Sequence, residues 1–398
     1  MIKPSKKTAT QVTLCIDPNG QPGLVSVILP TYNRGYCINK SIESVLAQTY
    51  RDIEVIVIDD GSTDNTREVI AAAFTGEPRV KYIYRSNGGV AVARNHGIRL
   101  ARGEFMALLD SDDSWKPWKT ELQVRVLQER PDVGMVWTDM EAVNPDGQLI
   151  ASRFLRKMYA AYRWYPEDES LFSQSFLLSN SDKEHSSMCP PGKVCIGDIF
   201  SPMMMGNLVH TSTVLMRRDR LARVGFFPET FRHGGEDYHF HLRTCHEGPV
   251  AFVDVASIFY RVGGSDQFTA RDLNSFFATG YLKTIRPYLK PGRRSITLSE
   301  KMMQAMMAQA YGWVGGALFE RGKRKVARRF LGESLKYQFW QLRVLITLVR
   351  ATMPNWFDTL ALRGYRAVKG FIELASVRRE AQQTSSVQFN SYWIGRGK

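Results

Sequence analysis

The chain has 398 residues, 44% of them hydrophobic, which is an ordinary composition for a globular protein with a large core and roughly two to three domains. Its five cysteines are few and widely spaced, so the composition excludes a disulfide-stapled scaffold and indicates a reducing compartment. The net charge of +14 is uneven: residues 1–280 hold 31 Lys and Arg against 33 Asp and Glu, whereas residues 281–398 hold 22 against 6. A basic interaction surface is therefore expected in the last third of the chain.

The N-terminal residues are basic, but no apolar segment follows them, so a secretory signal is not expected. No apolar run approaches the roughly 18 residues that a membrane-spanning helix needs. We expect a protein that is cytoplasmic or peripheral on the inner face of the plasma membrane. Cys189 and Cys195 are interpreted as unrelated thiols, because no second pair completes a zinc site.

Strand and helix patterns alternate from residue 25 to residue 110. The predicted elements, in chain order, are strand Val25–Leu29, helix Ile38–Ala47, strand Ile53–Ile58, helix Asp64–Ile70, strand Val80–Tyr84, helix Val90–Ala101 and strand Met106–Leu109. This alternation predicts an α/β fold with a mostly parallel, Rossmann-like sheet flanked by helices.

Further strands are expected after the acidic end of that region, at Val133–Thr138, Thr211–Met216 and Ala251–Tyr260. Residues 151–200 are rich in aromatic side chains and then polar, which indicates short helices and loops with a mobile active-site segment. From about Ser299 the pattern becomes helical and basic, so we place a domain boundary near residues 289–298.

The apolar run Met106–Leu109 ends in three carboxylates, those of Asp110, Asp112 and Asp113. Like charges at a strand end repel each other unless a cation or a cationic partner holds them, and a divalent metal that carries phosphate is the simplest occupant. Ligands of open α/β sheets bind at this edge. The alternative is a solvated acidic turn in which Asp113 or Ser114 caps the following helix.

Two other strand ends carry polar clusters. Thr31, Tyr32 and Asn33 offer a hydroxyl, an aromatic face and an amide, which suit a nucleotide base, and Asp60 can accept a hydrogen bond from a ring N–H or a ribose hydroxyl. Arg94 lies about one turn into a helix that follows Gly88 and Gly89, a typical diphosphate contact. Ordinary turn chemistry with a surface arginine is the alternative for each cluster.

The sequence resembles the inverting family-two glycosyltransferases, which have the GT-A type of nucleotide-diphospho-sugar binding fold. The resemblance covers roughly residues 24–265. The matching blocks, in order, are Val25–Arg34, Ile56–Thr66, Gly88–Asp113, Gly206–Arg218 and Gly235–Tyr238.

The resemblance implies that Thr31, Tyr32 and Asp60 bind the base and that Arg94 lies near the diphosphate. It also implies that Asp110 lies beside the ribose and sugar, while Asp112 ligates Mn²⁺ or Mg²⁺. Asp237 would be the general base with Glu236 as its neighbour, although this pair could also simply cap a helix. Asn33 joins the nucleotide-sugar-binding set, and Asp113 and Arg261 are additional candidates.

Two departures from the family pattern limit what the resemblance implies about metal ligands and about processive synthesis. Many relatives have a His shortly after the Tyr-Arg pair that here is Tyr260-Arg261, but Gly263 and Gly264 follow instead, so no His is assigned to a metal. The Gln-x-x-Arg-Trp motif of processive synthases is absent, which favours a single transfer.

The basic C-terminal region combines cationic and apolar positions at helical spacing, notably in residues 321–331 and 335–350. Such helices suit an anionic membrane surface. The alternative is a soluble helical subdomain that packs on the catalytic domain or in a dimer. Nucleic acid is not an expected partner, because no recognition motif accompanies the charge.

These observations predict an N-terminal extension (1–23), a GT-A catalytic domain (24–288) with a nucleotide-sugar-binding half (24–140) and an acceptor-binding half (141–288), a basic helical region (289–381) and a flexible tail (382–398). The predicted activity is metal-dependent, inverting transfer of one sugar from a nucleotide diphosphate sugar, UDP-sugar being favoured, to a hydroxyl of a glycan or lipid-linked acceptor in cell-surface polysaccharide biosynthesis. A nucleotidyltransferase on a related fold and a non-catalytic scaffold that binds nucleotide sugar or membrane are the alternatives.

Overall fold

The computed structural model describes residues 16–178, 190–232, 234–264, 273–289 and 296–354. The chain divides into two compact units, residues 1–306 and residues 307–398.

Eleven strands form one sheet within the described ranges. The strands are β1 Gln21–Thr31, β2 Ile53–Asp59, β3 Val80–Tyr84, β4 Gly103–Leu108, β5 Ser114–Trp115, β6 Met135–Val143, β7 Leu149–Ala151, β8 Gln174–Leu178, β9 Gly192–Gly197, β10 Leu215–Arg217 and β11 Val250–Arg261. The α-helices there are α1 Ile38–Leu46, α2 Thr66–Phe74, α3 Val90–Leu100, α4 Lys119–Glu129, α5 Leu155–Met158, α6 Phe200–Met204, α7 Arg218–Val224, α8 Glu236–His246, α9 Asn274–Ile285, α10 Glu300–Glu320, α11 Arg324–Tyr337 and α12 Leu342–Thr352.

The parallel half of the sheet has the strand order β3-β2-β1-β4. Every residue of β2 is buried, and β1 is buried from Leu24 onward, as expected for parallel strands that are covered on both faces. Thr31 pairs with Asp59 and Ile28 with Leu108, so β1, β2 and β4 end at the same edge. The polar segments that follow these three strands therefore share one side of the sheet, as predicted.

The other half of the sheet is mixed. β10 inserts antiparallel between β4 and β6, β11 runs parallel to β6, and β9 and β8 continue antiparallel beyond β11. The predicted α/β class with a helical C-terminal region is confirmed, but the parallel arrangement dominates only the N-terminal half.

The strand predicted at Thr211–Met216 was wrong in its first half. Residues Thr211–Thr213 form a 3₁₀ turn, and only Leu215–Arg217 pair in the sheet. The reason is that the carbonyls of Ser212 and Thr213 accept side-chain hydrogen bonds from Trp115 and Gln123 instead of joining the ladder. The strand predicted at Ala251–Tyr260 is confirmed as β11.

Short helical segments and β8 occupy residues 155–178, as predicted for the aromatic region. The mobile segment predicted within residues 151–200 falls partly on residues 179–189, which lie outside the described ranges, as does Cys189.

The C-terminal unit contains the end of α10 together with α11 and α12. Ala327, Leu331 and Ala351 form its buried centre, and the side chains packed against them are Leu318, Phe319, Val344 and Leu348. No described helix of the protein combines the length and apolarity that a bilayer crossing requires.

Candidate active site

The loop after β2 is held by Asp60. Its carboxylate accepts hydrogen bonds from the backbone N–H groups of Gly88 and Gly89, at 2.7–3.1 Å, and the Arg85 guanidinium lies 3.6 Å away. Burial raises the pKa of Asp60 despite these donors. Asp60 thus fixes the glycine loop that leads into α3, a structural contact that the sequence did not predict.

The segment after β1 places three candidate residues at the same edge. Asn33 has a left-handed backbone (φ 53°), and its side-chain oxygen accepts a hydrogen bond from the Thr63 N–H at 2.8 Å. The Tyr32 ring is exposed, whereas the Thr31 hydroxyl is buried and has no hydrogen-bond partner among the described residues. The ring and the hydroxyl are therefore the groups here with capacity for a ligand.

The three carboxylates after β4 point to three different partners. Asp110 pairs with Arg94, Asp112 faces Arg261 and Arg34, and Asp113 accepts a hydrogen bond from the Ser212 hydroxyl. Because each carboxylate has its own cationic or hydroxyl partner, the predicted alternative of a solvated acidic turn does not describe this segment.

Arg94 connects the acidic strand end to helix α8. One guanidinium nitrogen lies 2.7 Å from the Asp110 carboxylate and another lies 2.8 Å from the Glu236 carboxylate, and the Arg94 side chain is only 5% exposed. Burial alone would raise the pKa of Asp110, but Arg94 overcomes it and holds that pKa below the usual range. Arg94, which lies 142 positions before Glu236 in the sequence, thus brings the two carboxylate-bearing segments into one site.

Asp112 faces two arginines. Its carboxylate oxygen lies 3.4 Å from the Arg261 guanidinium and 3.9 Å from that of Arg34, and Arg261 also donates to the Tyr36 hydroxyl at 2.7 Å. Burial, followed by the neighbouring Asp110, raises the pKa of Asp112. Arg34 was not singled out from the sequence, although its position directly after the Thr-Tyr-Asn cluster was a usable signal.

Asp237 lies at the start of α8, after Gly234 and Gly235, which both have positive φ. Its neighbour Glu236 is buried against Arg94, whereas Asp237 is half-buried and forms no ion pair with any described residue. Burial, then Asp237, raises the pKa of Glu236 to about 7, and burial also raises the pKa of Asp237. A partly exposed carboxylate with a raised pKa has the properties of a general base.

No group of three His, Cys, Asp or Glu side chains within the described ranges is arranged to hold a metal ion. His210 packs edge-on against Tyr260, and burial lowers the pKa of His210 to about 4, so it is neutral at pH 7. A metal held at Asp112 would need the remaining ligands from substrate phosphates and water, a common arrangement for Mg²⁺.

Ser212 is a site residue that sequence reasoning missed. Its hydroxyl donates to Asp113 at 2.6 Å and accepts from the Asp110 N–H at 3.1 Å, and its carbonyl accepts from the Trp115 indole at 3.0 Å. One fully buried serine thus fixes both ends of the acidic segment. It lies within a block that matched the family, but nothing in the local pattern distinguishes it from Thr211 or Thr213.

Replacing Ser212 by Ala is expected to lower the free energy of unfolding by about 1–3 kcal/mol, because Asp113 and the Asp110 N–H lose a buried partner. Urea denaturation followed by circular dichroism would measure this. Ser170→Ala, an exposed serine that bonds only to a nearby carbonyl, serves as the control and should change stability little. Equal stability of the two variants would contradict the positioning role of Ser212.

Part of the chain matches a known protein family. Residues 26–189 match the model of the family described as Glycosyl transferase family 2. The chain is 40% identical over 131 residues to the chondroitin synthase of Pasteurella multocida strain Pm70, a match that covers 33% of this chain and 14% of that protein. It is 31% identical over 245 residues to an uncharacterised glycosyltransferase of Rickettsia felis, with 61% of this chain and 34% of that protein covered.

A solved structure also resembles the chain. It is the mannosyltransferase PcManGT of Pyrobaculum calidifontis in complex with GDP-Man and Mn²⁺, with a TM-score of 0.49 and 18% sequence identity, covering 87% of this chain and 90% of that one. The chain spans well under half the length of the two sequence relatives named above.

Proposed function

We propose that the chain, whose residues 26–189 match glycosyl transferase family 2, is a glycosyltransferase that moves a single sugar, with inversion, from a nucleotide diphosphate sugar to a hydroxyl of a glycan or lipid-linked acceptor. A UDP-sugar is the favoured donor, and cell-surface polysaccharide biosynthesis is the proposed context. The observation that carries the proposal is the Arg94 bridge, which links the acidic donor side at Asp110 to the helix that bears Asp237.

In this proposal Asp237 accepts the proton of the acceptor hydroxyl as that oxygen attacks the anomeric carbon. The new bond joins the acceptor oxygen to the sugar, the bond between the sugar and the diphosphate breaks, and the nucleoside diphosphate leaves. A hydroxyl is a poor nucleophile near neutral pH, so a base within hydrogen-bond reach is required. Asp237 suits this role better than Glu236, because Arg94 already engages the Glu236 carboxylate.

Asp112 is the proposed ligand of Mn²⁺ or Mg²⁺. Its carboxylate is a hard oxygen donor of the kind that these cations bind, and it remains partly exposed. The ion, when bound, would neutralise charge on the leaving diphosphate. Arg34 and Arg261, which converge on the same carboxylate, supply further positive charge where the diphosphate would lie.

We propose that Thr31, Tyr32 and Asn33, together with Asp60, bind or border the nucleoside. The exposed ring of Tyr32 can stack on the base, and the buried Thr31 hydroxyl can bond to it. Arg94 is assigned a positioning role beside the diphosphate, because Glu236 and Asp110 occupy its two terminal guanidinium nitrogens.

A donor screen tests this function. Release of nucleotide diphosphate from UDP-, GDP- and dTDP-sugars is measured with and without Mn²⁺, in the wild type and in Asp112→Asn. We expect release from one donor in the presence of Mn²⁺, and a loss of roughly 100-fold or more in the variant, since a metal contributes several kcal/mol to charge stabilisation.

The control for this screen is Asp132→Asn, which removes an exposed carboxylate that pairs with Arg130, outside the acidic segment. It should release diphosphate at the wild-type rate. Calorimetry of nucleotide binding separates a transferase from a non-catalytic scaffold. Binding of a nucleotide without diphosphate release means that the acceptor is missing. Failure to bind any of the nucleotides would favour a non-catalytic scaffold. Release of pyrophosphate from a nucleoside triphosphate and a sugar phosphate would identify a nucleotidyltransferase instead.

A further inference from the structure

Helix α12 has apolar side chains on two opposite faces. Val344, Leu348 and Ala351 point into the centre of the C-terminal unit, where they meet α10 and α11. At about 100° per residue, Leu342, Ile346 and Val349 lie on the opposite face, and all three are exposed. One face therefore satisfies the packing of the unit, while the second face remains in contact with solvent.

The segment that directly precedes α12 also carries exposed apolar side chains. Phe339 and Trp340 contact each other edge-on with ring centroids 5.2 Å apart, and Trp340 is 89% exposed. We name Phe339, Trp340, Leu342, Ile346 and Val349 the apolar ridge. Large side chains in this number are rarely left exposed together on a protein surface that has no partner.

The surroundings of the apolar ridge are strongly basic. Residues 307–354 contain nine Lys and Arg but only two acidic residues. Arg343 is exposed on the flank of the same helix. Arg350, about two helical turns further along, lies over the Phe319 ring at 5.0 Å from its centroid. Apolar and aromatic side chains beside cations are the combination that lets a helix lie in the interface of an anionic bilayer.

Charge argues against two other occupants of the ridge. Residues 355–398 contain seven Lys and Arg and three acidic residues, so this segment has the same sign of charge as the surface that it would cover. A second copy of the chain would bring two basic surfaces together, which like-charge repulsion opposes. An anionic lipid surface is the occupant whose charge is complementary.

We propose that the apolar ridge docks the protein on an anionic membrane surface, with α12 parallel to the plane of the bilayer. Trp340 and Phe339 enter the headgroup boundary, Leu342, Ile346 and Val349 lie on the acyl side, and Arg343 meets the lipid phosphates. This inference goes beyond the transfer reaction and rests on none of the residues assigned to it. It gives the enzyme a location at which lipid-linked acceptors are concentrated.

Vesicle sedimentation of the full chain tests the proposal. The probes are vesicles of phosphatidylcholine alone and of phosphatidylcholine with phosphatidylglycerol, at low and high salt. We expect binding to the anionic vesicles only, weakening as salt increases. The variant Trp340→Ser, Ile346→Gln, Val349→Gln should bind at least tenfold more weakly, because it removes apolar area that would enter the interface.

Two further variants make the result specific. Leu149→Gln, Ile150→Gln, Leu177→Gln replaces three equally exposed apolar side chains of the first unit and should bind like the wild type. Arg343→Gln should weaken binding to anionic vesicles about fivefold, since one cation near such a surface is worth about that factor. These substitutions are at exposed positions, and circular dichroism checks that each variant is folded.

The proposal is overturned if the wild type fails to bind anionic vesicles, or if the ridge variant binds as tightly as the control variant. A wild type that dimerises through the ridge without binding vesicles would also overturn it and identify a second copy as the occupant. Diphosphate release from the donor in solution is unaffected by the ridge variant in either case, so this test is independent of the proposed transfer chemistry.

Discussion

Replacing Asp237 by Asn is expected to lower the rate of sugar transfer by about 10²–10⁴-fold while leaving donor binding nearly unchanged. Asn has the same shape as Asp but cannot accept the proton of an acceptor hydroxyl. The donor side of the site, at Asp110 and Asp112, keeps its own partners in this variant. Steady-state transfer with the acceptor, together with calorimetry of donor binding, would separate the loss in kcat from any change in affinity.

Asp219→Asn is a matched control for this substitution. Asp219 is half-exposed near the start of another helix, α7, and pairs with Arg223 one turn away, so the variant should transfer at close to the wild-type rate. If Asp237→Asn retains activity and Glu236→Gln loses it, the base would be Glu236 and our assignment would be wrong. If neither variant loses activity, neither of these two carboxylates of α8 takes up the acceptor proton.

The pH profile gives a second check on the same residue. The base must be deprotonated to act, so the transfer rate should rise with pH through its pKa. Burial raises the pKa of Asp237, which places the acidic limb of the profile above the range of an ordinary aspartate. A limb at the usual pKa of an exposed carboxyl would contradict the burial that the structure shows.

Much of the N-terminal half of the fold could be predicted because its signals are local. The β-branched runs of β1 and β2 and the helical spacing between them are sufficient to indicate parallel strands. Once the strands are parallel, their carboxyl ends must meet at one edge, and the positions of Asp60 and Asp110 follow. The roles of these residues in binding and catalysis came from the family resemblance, because hydrophobic periodicity carries no information about chemistry.

The contacts of these residues could not be predicted, because they join distant parts of the chain. Ser212 reaches Asp113 across 99 positions, and a serine in a polar run looks the same whether it bonds to a carboxylate or to water. The 3₁₀ turn at Thr211–Thr213 was taken for a strand for the same reason: its β-branched residues favour a strand locally, but side chains from β5 and α4 bind its carbonyls. Tertiary hydrogen bonds there outweigh the local propensity.

The residues that were predicted to bind the nucleotide show a related limit of prediction from sequence. Asp60 and Asn33 were selected for their hydrogen-bonding capacity, and the structure uses that capacity to tie loops to each other. The sequence pattern identifies polar groups at a strand end, but it does not say which oxygens remain available for a ligand. Only the folded structure distinguishes Thr31, whose hydroxyl has no partner among the described residues, from Asn33, whose side-chain oxygen is engaged.

Arg94→Met is expected to lower the free energy of unfolding by about 3–5 kcal/mol near neutral pH, the largest stability effect that we predict. The substitution removes one cation from between two buried or part-buried carboxylates, those of Asp110 and Glu236. Both would then lose the cation that joins the segment after β4 to the start of α8. Urea denaturation followed by tryptophan fluorescence would measure the loss.

The loss of stability in Arg94→Met should depend on pH, and its direction follows from the ionisation of the Asp110 and Glu236 carboxyls. In the wild type Arg94 lowers the pKa of Asp110, so the stability from this pair is present above the ordinary aspartate pKa and is lost as the pH falls through the lowered value. In the variant both carboxyls would have raised pKa values, so protonation relieves the uncompensated charge as the medium becomes acidic. The difference between variant and wild type should therefore be largest at pH 8 and shrink toward pH 4.

Arg102→Met is the control for the loss of a guanidinium. Arg102 is 60% exposed and pairs with Glu54, which keeps its other partners, Lys81 and Ser26, so this variant should lose no more than about 1 kcal/mol. Arg94→Lys should fall between the two, because an ammonium retains the charge but cannot span both carboxylates as the planar guanidinium does. A cost for Arg94→Met that equals the control, or that is the same at pH 5 and pH 8, would mean that the bridge does not hold the two halves of the site together.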